Sequence, residues 1–353
     1  MSSLVLRILL RRQSDKNGLK AFITLMISIL ALLLAIGAGS VRIPVRTELF
    51  VIAHKLFSTV LPPDIEAQTV SILWSIRIPR ALSAFLTGGI LAVCGAICQS
   101  MMQNPLASSY TLGVSSGASL GAAIIIASGI SIPVLGVFLL PAGGFAGALI
   151  TVGAVLLISS RLDNDLRGHT IILFGMIVSL FTNAILTLIT ALDSEHTHQL
   201  LRWQMGSFSG KRWYHVAILF VSSVLGVLML ERYHKELDIM SFGDEQALSM
   251  GVDAGVIKRL MIILTSLLTG IAVCFTGTIG FVDLMAPHAV RKIFGPSHRL
   301  VIPMSFFIGG ALLSLSDLLA RTILAPQDLP VGAVTALFGA PFFLFLYFDR
   351  WNK

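Results

Sequence analysis

The sequence predicts an all-α polytopic membrane protein of about ten transmembrane helices, and three observations carry that expectation. Hydrophobic residues make up 55% of the 353-residue chain and charged residues only 12%, with a mean hydropathy of +0.88; a soluble surface needs roughly a quarter of its residues charged. The apolar residues gather in runs of the length needed to cross a bilayer, ~20 residues each. The polar stretches left over, 41 to 80, 192 to 215 and 231 to 259, have room for short helices but fall well below the ~100 residues of an ordinary domain. A nucleotide-hydrolysing or DNA-reading domain is therefore excluded.

Taken in order, the first run, 21 to 39, follows five basic residues and lacks a small-residue cleavage site, so it reads as a retained first helix rather than a signal peptide. The second and third, 81 to 102 and 114 to 130, are rich in Gly, Ala and Ser at helical spacing, which lets helices approach closely. Further runs occupy 133 to 158, 170 to 191 and 214 to 230. Beyond the polar stretch 231 to 259 come 260 to 279, 281 to 293, 301 to 319 and 331 to 348. The eighth is short, and Gly277, Gly280 and Pro287 interrupt the chain around it. That pattern suggests a broken helix, tolerated in a membrane only where protein covers the backbone or a cavity is lined.

With the N-terminus in the cytoplasm, the inner segments hold sixteen Lys and Arg and the outer segments nine, so the charge bias puts both termini inside. The net charge of +7 is spread over loops and does not form a nucleic-acid-binding face. Cys94, Cys98 and Cys274 lie in apolar helical runs; an odd number of buried thiols speaks against a disulfide framework or a zinc site, and they read as packing residues. His288 has no second ligand at metal spacing and reads as a capping residue.

The spans divide into halves of five, approximately 21 to 191 and 214 to 348, on one membrane domain covering 1 to 353. An odd number per half inverts the second, an arrangement common in transporters. The loop 231 to 259 carries Ser241-Phe-Gly-Asp-Glu-Gln-Ala-Leu-Ser-Met-Gly-Val252, a short helix capped by Gly243 and Asp244 and ended near Gly251. Its apolar Ala247, Leu248 and Val252 are either tucked under the membrane domain or offered to a groove on a partner. No G-x-x-x-x-G-K-[ST] phosphate loop occurs, so ATP binds, if at all, on another polypeptide. The two acids in or beside apolar runs, Asp283 and Asp317, are thin support for an ion-coupled secondary transporter, the alternative class. No catalytic cluster points to an intramembrane enzyme.

Six motifs resemble those of one family: Arg77-Ile-Pro-Arg80, the Asn104 to Ala118 stretch NPLASSYTLGVSSGA, Trp203 to Ser207, Ala247 to Val252, Gly280 to Arg291 and Leu329 to Phe343. Together they make the chain similar to the FecCD-type permease subunits of ATP-driven importers for ferric siderophores, haem and cobalamin. The resemblance covers nearly the whole chain. It implies a multi-pass protein of the bacterial cytoplasmic (inner) membrane that pairs with a second permease subunit, two ATPase subunits and an extracytoplasmic binding protein. It implies no cofactor on this chain, ATP and Mg being held by the ATPase, and no metal site. Carried residue by residue, binding-protein docking falls on Arg77, Arg80 and Arg321. ATPase coupling falls on Asp244, Glu245, Ala247, Leu248, Met250, Gly251 and Val252. Gln99, Asn104, Ser115, Ser116 and Asp283 are candidates to line the pathway. Asp283 stands where the family usually has Gly, either solvated at the outer edge or touching the pathway. Ferric siderophore is the expected cargo because it is common among relatives, with haem and cobalamin as alternatives.

Overall fold

The computed structural model describes residues 3 to 39, 43 to 130, 132, 136 to 163, 166 to 193 and 195 to 351, with side chains described from 17 to 344. Arg7, Arg11, Arg12, Lys16, Arg42, Arg350 and Lys353, all counted in the charge bias, lie outside the described side chains.

Among the described residues the chain is all helical. The helices are α1 Ser3–Gly37, α2 Val45–Phe57, α3 Ala67–Ile72, α4 Ile78–Met101, α5 Val114–Ser128, α6 Leu139–Leu162, α7 Gly168–Leu192 and α8 Thr197–Gln204. The second half follows with α9 Trp213–Glu231, α10 His234–Met240, α11 Asp244–Ser249, α12 Ala254–Thr276, α13 Val282–Phe294, α14 His298–Ala320 and α15 Val331–Trp351. Among the described residues seven helical stretches are long and apolar enough to cross a membrane, and Val114–Ser128 and the stretch Val331–Leu344 of α15 are shorter apolar helices. Seven of the ten expected crossings thus reach full membrane length among the described residues. α13 has 13 residues, about 20 Å of helix, and does not span.

A second correction concerns the outer end of α4. The sequence places the start of this span at 81, with Arg77 and Arg80 in a loop before it. In the structure α3, one π-helical turn Leu73–Arg77 and α4 run on as 35 helical residues, Ala67–Met101. Pro79 lies inside this run directly after the π turn Leu73–Arg77, the kind of local adjustment by which a membrane helix accommodates a missing N–H.

α4 is the most enclosed helix, with 94% of its apolar window buried. It packs along α14 through glycines: a Cβ at Gly88 would overlap the Gly309 carbonyl, and one at Gly309 would overlap Ala92. α5 and α6 meet in the same way through Gly117, Gly121, Gly143 and Gly147. The Gly/Ala/Ser block read from the sequence thus brings helices of one subunit together, as close approach in lipid requires. All three cysteines are buried and unpaired.

Candidate functional site

The polar features fall at three levels. At the Met101 end of α4, α10 and α11 form the compact segment between α9 and α12. Gly243 at φ +118° starts α11 and Gly251 at φ +82° ends it, both in a backbone region that side chains rarely adopt. Asp253 then caps α12 by accepting from the Val256 amide at 3.0 Å. Asp244 lies in the first turn of α11, where the helix dipole favours an acid, and accepts from Lys258 at 2.5 Å. The Lys258 side chain is almost wholly buried, so that ion pair fastens α11 to α12.

The two environments expected for the loop's apolar side chains are both realised. Ala247 is fully buried and Val252 packs against the same core. Leu248 is 69% exposed, Met250 62% and Phe242 71%. Phe242 lies in the quoted stretch ahead of the helix and was not singled out with Ala247, Leu248 and Val252. Beside these residues opens a cleft of about 850 Å³ lined by Gln103, Asn104, Arg167, His169, Asp244 and Glu245 among others.

Inside the membrane, α12 and α13 are separated by a helix break. Phe281 takes φ +70°, strained for a side-chain-bearing residue. The chain between is held by Thr278 Oγ1 donating to the Gln204 carbonyl (2.5 Å) and Tyr110 Oη donating to the Ile279 carbonyl (2.9 Å). Asp283 opens α13 and is 1% exposed. One carboxylate oxygen accepts from Ser108 Oγ; the other has no hydrogen-bond partner among the described residues. Its backbone lies against Gly95, where a Cβ would overlap it. Asp283 therefore sits about 9 Å inside the Met101 end of α4 at 1.5 Å per residue. It is not solvated at the outer edge, and its neighbours come from the same subunit. Gln99 and Ser116 are likewise buried, while Asn104 and Ser115 are half-buried.

At the outer end the three arginines gather, as the motif spacing alone does not show. Arg80 makes a forked contact with Asp317 (Nε to Oδ2 2.9 Å, Nη2 to Oδ1 2.8 Å) and donates to Asp328 at 2.8 Å. Arg321 lies 3.7 Å from Asp317 and donates to the Ala35 carbonyl. Arg77 donates to the carbonyls of Gly37 (2.7 Å) and Ile36 (3.4 Å) at the end of α1. The three arginines assigned to binding-protein docking are enclosed and bonded to groups of this chain. Glu48 of α2 faces Arg77 with no hydrogen bond to either oxygen among the described residues. Burial pushes its carboxyl up to about 7, opposed by the Arg77 charge. Asp317 was legible as the i−4 partner of Arg321; Glu48 and Asp328 carried no such local signal.

The FecCD transport family model matches residues 25–349. An uncharacterized ABC transporter permease protein of Bacillus subtilis (strain 168) is 39% identical over 96% of this chain and 94% of its own length. A cobalamin import system permease of Halobacterium salinarum is 37% identical over 79% and 74% of the two chains. The Fe(3+)-citrate import system permease of Bacillus subtilis is 36% identical over 78% and 80%. Among solved structures, an inward-facing conformation of a transporter assigned to the metal-chelate ABC type superposes with a TM-score of 0.80 at 27% identity, covering 93% of this chain and 98% of that one. The chain belongs to the FecCD transport family and is a non-catalytic, multi-pass permease subunit of a binding-protein-dependent ABC importer, which works with an ATPase and a binding protein.

Proposed function

We propose that this permease carries ferric siderophores across the bacterial cytoplasmic membrane, as one of two permease subunits driven by two ATPase subunits. The observation that carries the coupling part of the reading is the divided α11 segment, with Ala247 anchored in the core and Leu248, Met250 and Phe242 presented outward. Apolar side chains exposed on a cytosolic helix suit a groove on a partner. The ATPase, holding ATP and Mg, docks there, and two inverted halves about the loop 231 to 259 move the pathway. Gln99, Asn104, Ser115, Ser116 and Asp283 stand closest to that pathway in this reading.

At the outer face the binding protein docks over Arg77, Arg80 and Arg321. Because Arg80 is already held by Asp317 and by the part-exposed Asp328, a carboxylate of the binding protein engages by displacing Asp328 from Arg80. The relative named for Fe(3+)-citrate favours an iron chelate. The relative named for cobalamin, at similar identity, favours a second reading, cobalamin as cargo.

Uptake of radiolabelled ferric hydroxamate, ferric citrate, haemin and cobalamin by cells carrying the permease and its partners separates these cargoes. Accumulation of an iron chelate alone supports the first reading, and accumulation of cobalamin alone replaces it with the second. Leu248→Asp is expected to lose the ATPase in pull-down while still binding the external binding protein. Retention of the ATPase with normal stimulated hydrolysis would place coupling elsewhere.

A further inference from the structure

The inner end of α4 carries a chain of polar contacts that leads from α10 to the pathway candidates Gln99 and Asp283. It begins on α10, six residues before α11. Asp238 accepts from the His298 amide at 2.7 Å, from His298 Nδ1 at 2.6 Å and from Ser297 Oγ at 3.2 Å. The carboxylate thus caps the N-terminus of α14, a favourable place for negative charge. Burial pushes the Asp238 carboxyl up, but the hydrogen bonds from His298 and Ser297 outweigh it and hold it below the ordinary carboxylate range.

The His298 ring, almost wholly buried, reaches across with Nε2 to Ser100 Oγ on α4 at 2.6 Å. Ser100 Oγ also receives Arg291 Nη2 of α13 at 3.1 Å and lies 3.0 Å from the Ala96 carbonyl. Arg291 donates in addition to the Ala96 carbonyl (3.0 Å) and to Gln99 Oε1. Gln99 Nε2 in turn approaches the Asp283 carbonyl at 3.4 Å, at the first turn of the broken helix. Four helices, α10, α14, α4 and α13, are joined by one run of side chains.

The donor count gives this run two discrete states. A carboxylate only accepts, so His298 Nδ1 carries a proton and donates to Asp238. Ser100 has a single proton to give. If it goes to His298 Nε2, Arg291 alone serves the Ala96 carbonyl. If it goes to Ala96, Nε2 donates to Ser100 only with a further proton on the ring, so this second arrangement holds one proton more than the first, taken up from water. A network with two arrangements, touching both the coupling segment and the half-helix, is the kind of element through which two sites influence one another.

We propose that Asp238, His298, Ser100 and Arg291 are positioning residues that transmit displacement of the α10–α11 segment to α4 and to the half-helix α13. The proposal rests on the reading of α11 as the ATPase-docking helix and adds the route inward. The route is set by rigid connections: Gln103 Nε2 donates to the Met240 carbonyl at 3.0 Å, and Leu237, Met240 and Ala247 share one core, so α10 follows α11. α13 is held at both ends, by Asp283 against Gly95 of α4 and Ser108 of the segment after it at one and by Arg291 with Ala96 and Ser100 of α4 at the other. A shift of Asp238 is thereby delivered to the pathway end of α13 without passing through lipid-facing side chains.

The test uses the permease with its ATPase in nanodiscs and compares Asp238→Asn, Ser100→Ala and the double variant, with Asp238→Glu and Ser100→Thr as conservative rescues. Three readouts are taken: ATPase retained on pull-down, basal ATP hydrolysis, and hydrolysis stimulated by the purified binding protein. Each single variant is expected to retain the ATPase and basal hydrolysis and to lose stimulation about tenfold, within the range of such couplings. Because the residues act in series, the double variant loses no more than either single one, and the rescues recover stimulation. Undiminished stimulation in the single variants, losses that multiply to about a hundredfold in the double, detachment of the ATPase, or variants that fail to fold together with rescues that fold but do not recover would each overturn the relay. Leu248→Asp, run alongside, reports on α11 docking by itself. If it keeps the ATPase and normal stimulation, the docking reading fails whatever the relay variants do.

Discussion

The two ends of α4 are both polar, and they are built differently. At the outer end Arg80 meets Asp317 in a forked ion pair at 2.8 to 2.9 Å, with Arg321, Arg77 and Glu48 enclosed around it. At the inner end His298, Arg291 and Ser100 meet through a hydroxyl and a backbone carbonyl. Paired charges in a low-dielectric setting have one good arrangement and a steep cost for leaving it. A hydroxyl with one proton and several suitors has more than one. The outer end therefore holds α1, α4 and α14 together, and the inner end is where α4 accepts small displacements from the cytosol.

Removing one partner at each end sharpens that difference. Asp317→Ala strands two enclosed guanidinium groups and is expected to cost about 3–5 kcal/mol, seen as a large drop in folded yield and in the thermal unfolding midpoint in detergent. Ser100→Ala removes a neutral acceptor and is expected to cost only about 1–2 kcal/mol by the same assay. Equal losses at the two ends would break the comparison. Reversing both Arg77 and Arg80 to Glu is for the same reason a poor docking test, since it sets carboxylates against Asp317 and lowers membrane abundance together with uptake.

A smaller effect comes from Glu48. Its carboxyl, raised to about 7 in the fold, binds more protons folded than unfolded between the ordinary value and about 7. Stability contributed there is greatest at low pH and declines as pH rises through that window. Thermal midpoints measured from pH 5 to 8 are expected to fall for the native chain, and Glu48→Gln is expected to flatten that slope. An unchanged slope in the variant would remove Glu48 from the outer cluster's pH response.

Much of this was legible in the chain. Hydropathy located nearly every long helix, because lipid demands continuous apolar runs, and Gly277, Gly280 and Pro287 marked the helix break. The segment around α11 was found from its glycines and its lone apolar side chains. The outer end was misjudged because hydropathy ends a span at its first charges. Nothing local shows that Arg77 and Arg80 continue the helix, that Arg80 finds Asp328 and Asp317, 237 residues away, or that Arg77 reaches the end of α1. Asp283 was left between the outer edge and the pathway for a related reason: its depth is fixed by α13 starting beside Gly95, a tertiary fact. The inner relay left no local trace, since Asp238, Ser100, Arg291 and His298 come from four separate elements and meet only in the fold.

Energy enters this permease from ATP on a partner rather than from an ion gradient through its own buried acids. Uptake of labelled chelate into proteoliposomes measures this directly. Accumulation is expected only with the ATPase and ATP on one side and the loaded binding protein on the other, and none from a proton or sodium gradient applied to the permease alone. Gradient-driven accumulation without the ATPase would contradict the claim.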